Sequence, residues 1–168
     1  VVYSVIIPLY NKAPYIGKAI RSVLDQRCAE FELIIVDDGS TDGSAKVIGQ
    51  FSDPRIRIIR QDNAGVSTAR NNGVKATKHE YIAFLDADDW WDQHYLEAMQ
   101  ELIFNYPDAG IWAAKYYKVK HGRNIEARIG LEQGFTVGYI DYFRAYARTM
   151  WMPVTSSSFI IRKQLFGK

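Results

Sequence analysis

The chain has 168 residues, 48% of them hydrophobic and 24% charged, enough for one domain with a sizeable core. Its net charge of +2 is too even to mark a nucleic-acid partner, and its one cysteine, Cys28, excludes an internal disulfide framework and fits a reducing compartment. The apolar runs are interrupted well short of the roughly 20 residues that cross a bilayer, and the opening VVYSVIIPLY has no basic n-region and no small-residue cleavage site.

Strand-like and helix-like runs alternate along the chain. YSVIIPL (3–9) reads as a buried strand stopped near Pro8. APYIGKAIRSVLDQ (13–26) follows as a helix, with Ile16, Ala19, Ile20, Val23 and Leu24 at helical spacing. FELIIVDDG (31–39) is a second buried strand ended by Asp-Gly turn chemistry. STDGSAKVIGQF opens on a capping-type serine or aspartate and runs into a short helix. Residues 57–59 and their flanks, within RIRII, give a third strand. AGVSTARNNGVKAT is a helix and YIAFLD (81–86) a fourth strand. QHYLEAMQELIFNY is an amphipathic helix with Leu96, Met99 and Ile103 on one side, and AGIWAAKYYKV is a fifth strand. HGRNIEARIGLEQGFTVG is polar and glycine-punctuated and reads as a long loop. YIDYFRAYARTM is one more amphipathic helix, with Ile140, Phe143 and Ala147 inward, and SSSFIIRK a last short strand. The chain opens on a residue other than methionine and stops mid-pattern at RKQLFGK, so a fragment or excised domain is expected.

This alternation argues for an α/β fold with a mostly parallel sheet and helices on both faces. In such sheets ligands sit at the carboxyl ends of the strands. Strand one ends at Pro8-Leu9-Tyr10-Asn11, strand two at Asp37-Asp38-Gly39-Ser40 and strand four at Asp86-Ala87-Asp88-Asp89, so polar residues converge on one edge.

Three acids within FLDADDWW repel one another beside apolar neighbours that hinder solvation. Asp86 and Asp88 alternate, so both can face one side. Two carboxylates facing one point ask for a cation or a shared proton. Magnesium and manganese take oxygen ligands and commonly use one or two carboxylates plus substrate phosphates. The plainer reading is a solvated loop capping the next helix, for which Asp89 or Asp92 alone would suffice. In VDDGSTD an aspartate could accept from a base or ribose, or could simply form a turn into a helix cap. In GVSTARNNGV the residues Val66, Ala69, Gly73 and Val74 form the inward stripe, and Arg70 is a member of it. A guanidinium on a packed side needs an anion, either a phosphate or an acid such as Asp38 or Asp86. Tyr10 could stack on a base or be a plain rim aromatic. His79, His94 and His121 lack metal-ligand spacing and read as solvated. G-x-G-x-x-G, the P-loop and G-x-S-x-G are missing, so dinucleotide, Walker-type and serine-hydrolase readings lose their main support.

YSVIIPLYNKAPYIGKAIRSVLDQ, FELIIVDDGSTDGS, QDNAGVSTARNNGVKAT and EYIAFLDADDWW occur in that order and spacing. Together they resemble family 2 glycosyltransferases, over roughly the first two thirds of the chain. The resemblance implies a GT-A fold, with a mostly parallel Rossmann-like nucleotide-binding sheet. It makes residues 1–168 a single glycosyltransferase domain, 1–120 the nucleotide-sugar half and 121–168 part of the acceptor half. It further implies an inverting, metal-dependent transfer from a nucleotide-diphosphate sugar, a UDP-sugar first, to a hydroxyl of a glycan or lipid-linked acceptor. Pro8 and Tyr10 would line the base pocket and Asp38 would hydrogen-bond the base. Arg70 would lie near the nucleotide and Asp86 would approach the ribose. Asp88, with Asp86, would hold Mn²⁺ or Mg²⁺. A bacterial, cytoplasmic setting with peripheral contact at the inner membrane face is the implied place, and surface polysaccharide the implied product.

Two departures stand out. Family members usually carry an acid after YN, where this chain has Lys12-Ala13, a position taken as peripheral. Their catalytic base usually lies in a Glu-Asp pair beyond SSSFIIRK, so here it is expected past Lys168. MWMPVTSSSF reads either as a flank of the acceptor pocket or as core packing. Two other classes compete with the main reading. One is a non-catalytic nucleotide-sugar binding fragment. The other is a phosphatase of the haloacid-dehalogenase type, suggested by FLDADD but placed mid-chain and followed by Asp89.

Overall fold

A computed structural model describes residues 1–27 and 30–166; Cys28, on which the redox reading rests, lies outside them. The strands among the described residues are β1 (Tyr3–Leu9), β2 (Phe31–Asp38), β3 (Ile56–Gln61), β4 (Tyr81–Phe84), β5 (Ile111–Ala113), β6 (Tyr117–Lys120), β7 (Arg123–Glu126) and β8 (Phe159–Arg162). The helices are α1 (Ala13–Leu24), α2 (Ser44–Ile48), α3 (Val66–Ala76), α4 (Tyr95–Asn105) and α5 (Tyr142–Thr149).

One sheet runs β3-β2-β1-β4-β8-β5. The first four strands are parallel, with Tyr3 opposite both Phe31 and Tyr81, while β8 runs antiparallel to β4 and to β5. Every residue of β1 and β2 is buried, as a parallel sheet covered on both faces requires. Strand alternation divides their side chains. Val5, Ile7, Leu9, Leu33 and Ile35 pack with the inner faces of α1 and α4, including Ile16, Ile20, Leu96 and Met99. Ile6, Ile34 and Val36 pack on the other face with Ala69 and Val74 of α3. Gly73 lets α3 approach this closely, because a Cβ there would stand 2.5 Å from Ile6 Cγ2. Val66, expected inward, is exposed. It is the first residue of α3, so the helix begins where the strands end and Val66 overhangs them.

The later segments depart further from expectation. The single fifth strand is two, β5 in the main sheet and β6 outside it. The long loop contains β7, which pairs with β6 as a hairpin. His121 and Gly122 turn it with φ of 49° and 73°, the positive values that a two-residue type I′ turn demands. Helix α5 starts at Tyr142 because the Asp141 carboxylate accepts from Arg144 N–H and caps it. That setting turns Ala145 inward and leaves Ile140, Phe143 and Ala147 exposed, against expectation. The short α2 is preceded by Gly43 at φ 91°, while the Asp42 carboxylate accepts from Ser44 N–H and from Ala13 N–H at the start of α1.

A buried carboxylate ties the strands at the end of the sheet remote from the acid loop. Glu32 accepts from Ser4 Oγ at 2.7 Å, Lys78 N at 2.7 Å and Arg57 Nη1 at 2.9 Å. Burial alone pushes its carboxyl up, but these donors outweigh it and hold the group below the ordinary carboxylate range. A group depressed on folding stabilises fully above its unfolded pKa, about 4.3, and loses that contribution as the pH falls through the folded value. Glu32→Gln is therefore expected to cost about 1–3 kcal/mol at pH 7. In urea denaturation the wild-type advantage should shrink steadily below about pH 4; a difference independent of pH would show that the ionised carboxylate is not what ties these strands.

Candidate functional site

The chain leaves β1 toward β2 and β3 on one side, whereas β4 lies on the other. This reversal opens a crevice at the carboxyl ends of β1 and β4, where open α/β sheets bind ligands. The residues after β1, the end of β2 and the loop after β4 all reach it. A cleft of about 210 Å³ is lined by Pro8, Tyr10, Asp38, Asn63, Gly65 and Val66, among others. Thus Pro8, Tyr10 and Asp38, picked out separately in the sequence, face one cavity. The Tyr10 ring is half exposed there, placed for stacking.

Asp38 is buried, and its carboxylate builds the far wall. Oδ1 accepts from Gln61 Nε2 at 2.7 Å and Ala64 N at 2.8 Å, and Oδ2 from Gly65 N at 2.9 Å. Gln61 in turn accepts from Asn72 Nδ2 of α3 at 2.7 Å. The segment 61–65 is thereby fastened to β2, and Oδ2 keeps acceptor capacity toward a ligand.

The acid loop is held from both sides. Its backbone closes through Asp89 N to Asp86 O at 2.9 Å. Asp86 Oδ1 accepts from Arg70 Nη2 at 2.5 Å and Oδ2 from Ser156 Oγ at 2.6 Å, while Asp86 N donates to Ser157 Oγ at 3.0 Å. Of the two acids open to Arg70, Asp86 is the partner. The Arg70 Nε is buried and has no hydrogen-bond partner among the described residues. Trp91 anchors the far end of the loop, buried, stacked on Tyr95 at 4.3 Å and donating Nε1 to Ser157 O at 2.7 Å. Loss of solvent pushes the Asp89 carboxyl up; a bond from Ser157 opposes this, and the charges of Asp86 and Asp88 add to it. Asp88 is exposed, and its Oδ2 accepts from Lys12 Nζ at 2.6 Å.

Sequence reasoning missed three of these partners. Ser156 and Ser157, read as the start of a strand, instead form a 3₁₀ turn at Ser156–Ser158 beneath the acids. Lys12, taken as peripheral, is the cation on Asp88. The available signals were a hydroxyl cluster just before a sheet strand and a lysine opening a helix. His94 sits on Glu97 at 3.0 Å, both exposed, away from any cluster.

Among the described residues no three His, Cys, Asp or Glu side chains form a metal cage. Divalent cations at phosphate sites often use one or two carboxylates, with water and substrate phosphates completing the shell. Exposed Asp88 suits such a partial set; Asp86, with both oxygens engaged, has less capacity.

The sequence model of Glycosyl transferase family 2 matches residues 4–166. Glycosyltransferase GlyA of Streptococcus pneumoniae serotype 4 is 40% identical over 116 residues, which is 68% of this chain and 16% of that protein. The putative teichuronic acid biosynthesis glycosyltransferase TuaG of Bacillus subtilis is 42% identical over 103 residues, 60% of this chain and 41% of that protein. Among solved structures, S. aureus TarS 1-349 in complex with UDP-GlcNAc superposes with a TM-score of 0.80 at 23% identity, covering 99% of this chain and 46% of that one. The mannosyltransferase PcManGT from Pyrobaculum calidifontis, in complex with GDP-Man and Mn²⁺, gives 0.63 at 23% identity, covering 68% of this chain and 35% of that one. The chain therefore has the GT-A fold, and it spans less than half the length of each of these relatives.

If Asp38 holds the cleft wall, Asp38→Asn should place an amide against backbone donors. Amide hydrogen exchange at Ala64 and Gly65 is expected to speed up by roughly 10- to 100-fold, with α1 unchanged. Unchanged exchange at both positions would remove Asp38 from that part.

Proposed function

The chain belongs to glycosyl transferase family 2, and from that membership we propose that it binds a nucleotide-diphosphate sugar, a UDP-sugar first, and passes the sugar to an acceptor hydroxyl. The observation that carries this reading is the edge of the sheet formed by the carboxyl ends of β1, β2 and β4. There Pro8, Tyr10 and Asp38 share one cleft, and the Arg70–Asp86 pair and Asp88 stand at the adjoining strand end.

In this reading Tyr10 stacks on the base and Pro8 closes its floor. Asp38 accepts from a base N–H through Oδ2 while its other bonds keep the wall in place. Asp86, fixed by Arg70 and Ser156, meets the ribose, and Arg70 lies near the nucleotide. Asp88 is the main ligand for Mn²⁺ or Mg²⁺, with Asp86 a lesser one. Such an ion, when bound, neutralises charge on the departing diphosphate. Residues 1–120 form the donor half and 121–168 part of the acceptor half. Inverting transfer calls for a carboxylate base beside the acceptor hydroxyl; none of the described residues is assigned that part.

UDP-GlcNAc in the TarS complex supports a UDP-sugar, and Mn²⁺ in the PcManGT complex supports a divalent ion. TuaG, named for teichuronic acid biosynthesis, supports a polysaccharide as product, and the acceptor proposed is a glycan or lipid-linked one. No helix among the described residues is long and apolar enough to cross a membrane. The proposed place is the cytoplasmic face, with peripheral membrane contact.

Calorimetric titration of UDP, GDP and ADP, with and without Mn²⁺, tests the donor site. UDP is expected to bind in a Mn²⁺-dependent way, and Asp88→Asn to weaken the metal-dependent part about tenfold or more. Failure of every nucleotide to bind would overturn the reading, and Mn²⁺-dependent affinity untouched by Asp88→Asn would remove the metal role.

A further inference from the structure

Lys12 sits where a lysine is unfavourable on local grounds. It is the residue capping the start of α1, and a helix N-terminus carries partial positive charge that repels an ammonium. The position is nonetheless built with care. Asn11, at φ 50°, turns the chain into a left-handed conformation that asparagine tolerates better than most residues. Asn11 N donates to Ser40 Oγ at 3.1 Å, and Lys12 N to Ser44 Oγ at 3.1 Å. The Lys12 carbonyl accepts from Tyr15 N and Ile16 N at 2.9 and 3.0 Å. On the other side the Asp88 loop is fastened by Ser156, Ser157 and Trp91. The pair at 2.6 Å therefore joins two fixed walls of the crevice.

Its charge balance also differs from an ordinary surface pair. Asp86 has Arg70 as its partner, so Lys12 is the cation that meets Asp88. A divalent cation bonds carboxylate oxygen at about 2.0–2.6 Å, so an ammonium held 2.6 Å from the same oxygen would stand beside it as a like charge. Taking the other oxygen would still set two like charges side by side. The flexible four-carbon stem lets the ammonium swing away while its backbone stays pinned.

Resting on the reading of Asp88 as a cation ligand, we propose that Lys12 is the resident counter-ion of Asp88, displaced when a divalent cation takes the carboxylate and received by the diphosphate of the donor. Lys12 then opposes the cation when no nucleotide is present and helps to hold the nucleotide once the cation is in place. The ammonium hands over from one anion to another.

Lys12→Met, which keeps an unbranched stem without the charge, separates the two effects. Mn²⁺ affinity without nucleotide is read from the electron paramagnetic resonance of free Mn²⁺. UDP affinity at saturating Mn²⁺ is read by calorimetry. The variant is expected to bind Mn²⁺ about fivefold more tightly and UDP about fivefold more weakly. A merely structural lysine would weaken both or move neither, and either result overturns the proposal, as does tighter Mn²⁺ with unchanged UDP. Lys12→Arg, which restores a cation, should return both constants toward wild type. Asp88→Asn run alongside separates the two failures: if it loses Mn²⁺ while Lys12→Met does not gain it, the donor-site reading stands and this inference falls.

Discussion

Carboxylates cannot stand at the end of a buried strand unless their charge is met, and the loop 86–89 is arranged around that constraint. Two like charges about 4 Å apart repel by about 4 kcal/mol at the effective dielectric of a protein surface, more than a typical exposed ion pair returns. The chain answers with partners from three separate segments. Arg70 comes from α3, Lys12 from the start of α1, and Ser156 and Ser157 from the turn before β8. Each lies far from the loop in sequence, so the acids are stable only once the sheet has assembled.

The sheet supplies that assembly through burial on both faces. β1 contributes Val5 and Ile7 to one core and Ile6 to the other, so neither helix layer can shift without disturbing the strand that carries Pro8 and Tyr10. The polar anchors sit at opposite ends of this rigid unit. Glu32 ties β1, β2 and β3 at one end, and Asp38 ties β2 to the start of α3 at the other. Both are buried carboxylates with at least one donor on each oxygen, which is the condition for burying one without large cost. Asp38 differs in facing a cleft, so the same charge that stabilises the wall remains open to a ligand.

Much of this was legible in the sequence. Parallel strands with apolar runs, helical spacing and Asp-Gly stops located β1 to β4, α1, α3 and α4, and the strand-end rule brought Pro8, Tyr10, Asp38, Asp86 and Asp88 to one edge. Arg70 was found through its place on the stripe, although periodicity could not choose between Asp38 and Asp86. The misses share a cause. The order β4-β8-β5 and the antiparallel setting of β8 are long-range pairings that no local pattern encodes. Residues 121–138 read as loop because polar composition masked a two-residue His121-Gly122 turn. In α5 the periodicity was real but its phase was set by the Asp141 cap and by Ala145 packing, so Phe143 faces outward.

The same long-range pairing that hides β8 from the sequence gives it its place in the site. β8 enters the sheet beside β4, so the turn just before it must arrive at the end where β4 releases Asp86. Antiparallel entry is what makes this geometry work: the start of β8 meets the carboxyl end of β4. A parallel strand at that position would have brought its far end there and left Asp86 Oδ2 without Ser156. Four short hydroxyl residues suit the junction, because Thr155 and Ser158 close a capping box on the turn while Ser156 and Ser157 reach the acid loop. The strand order of the second half of the chain and the electrostatics of the first half are one arrangement, joined at the oxygens of Asp86.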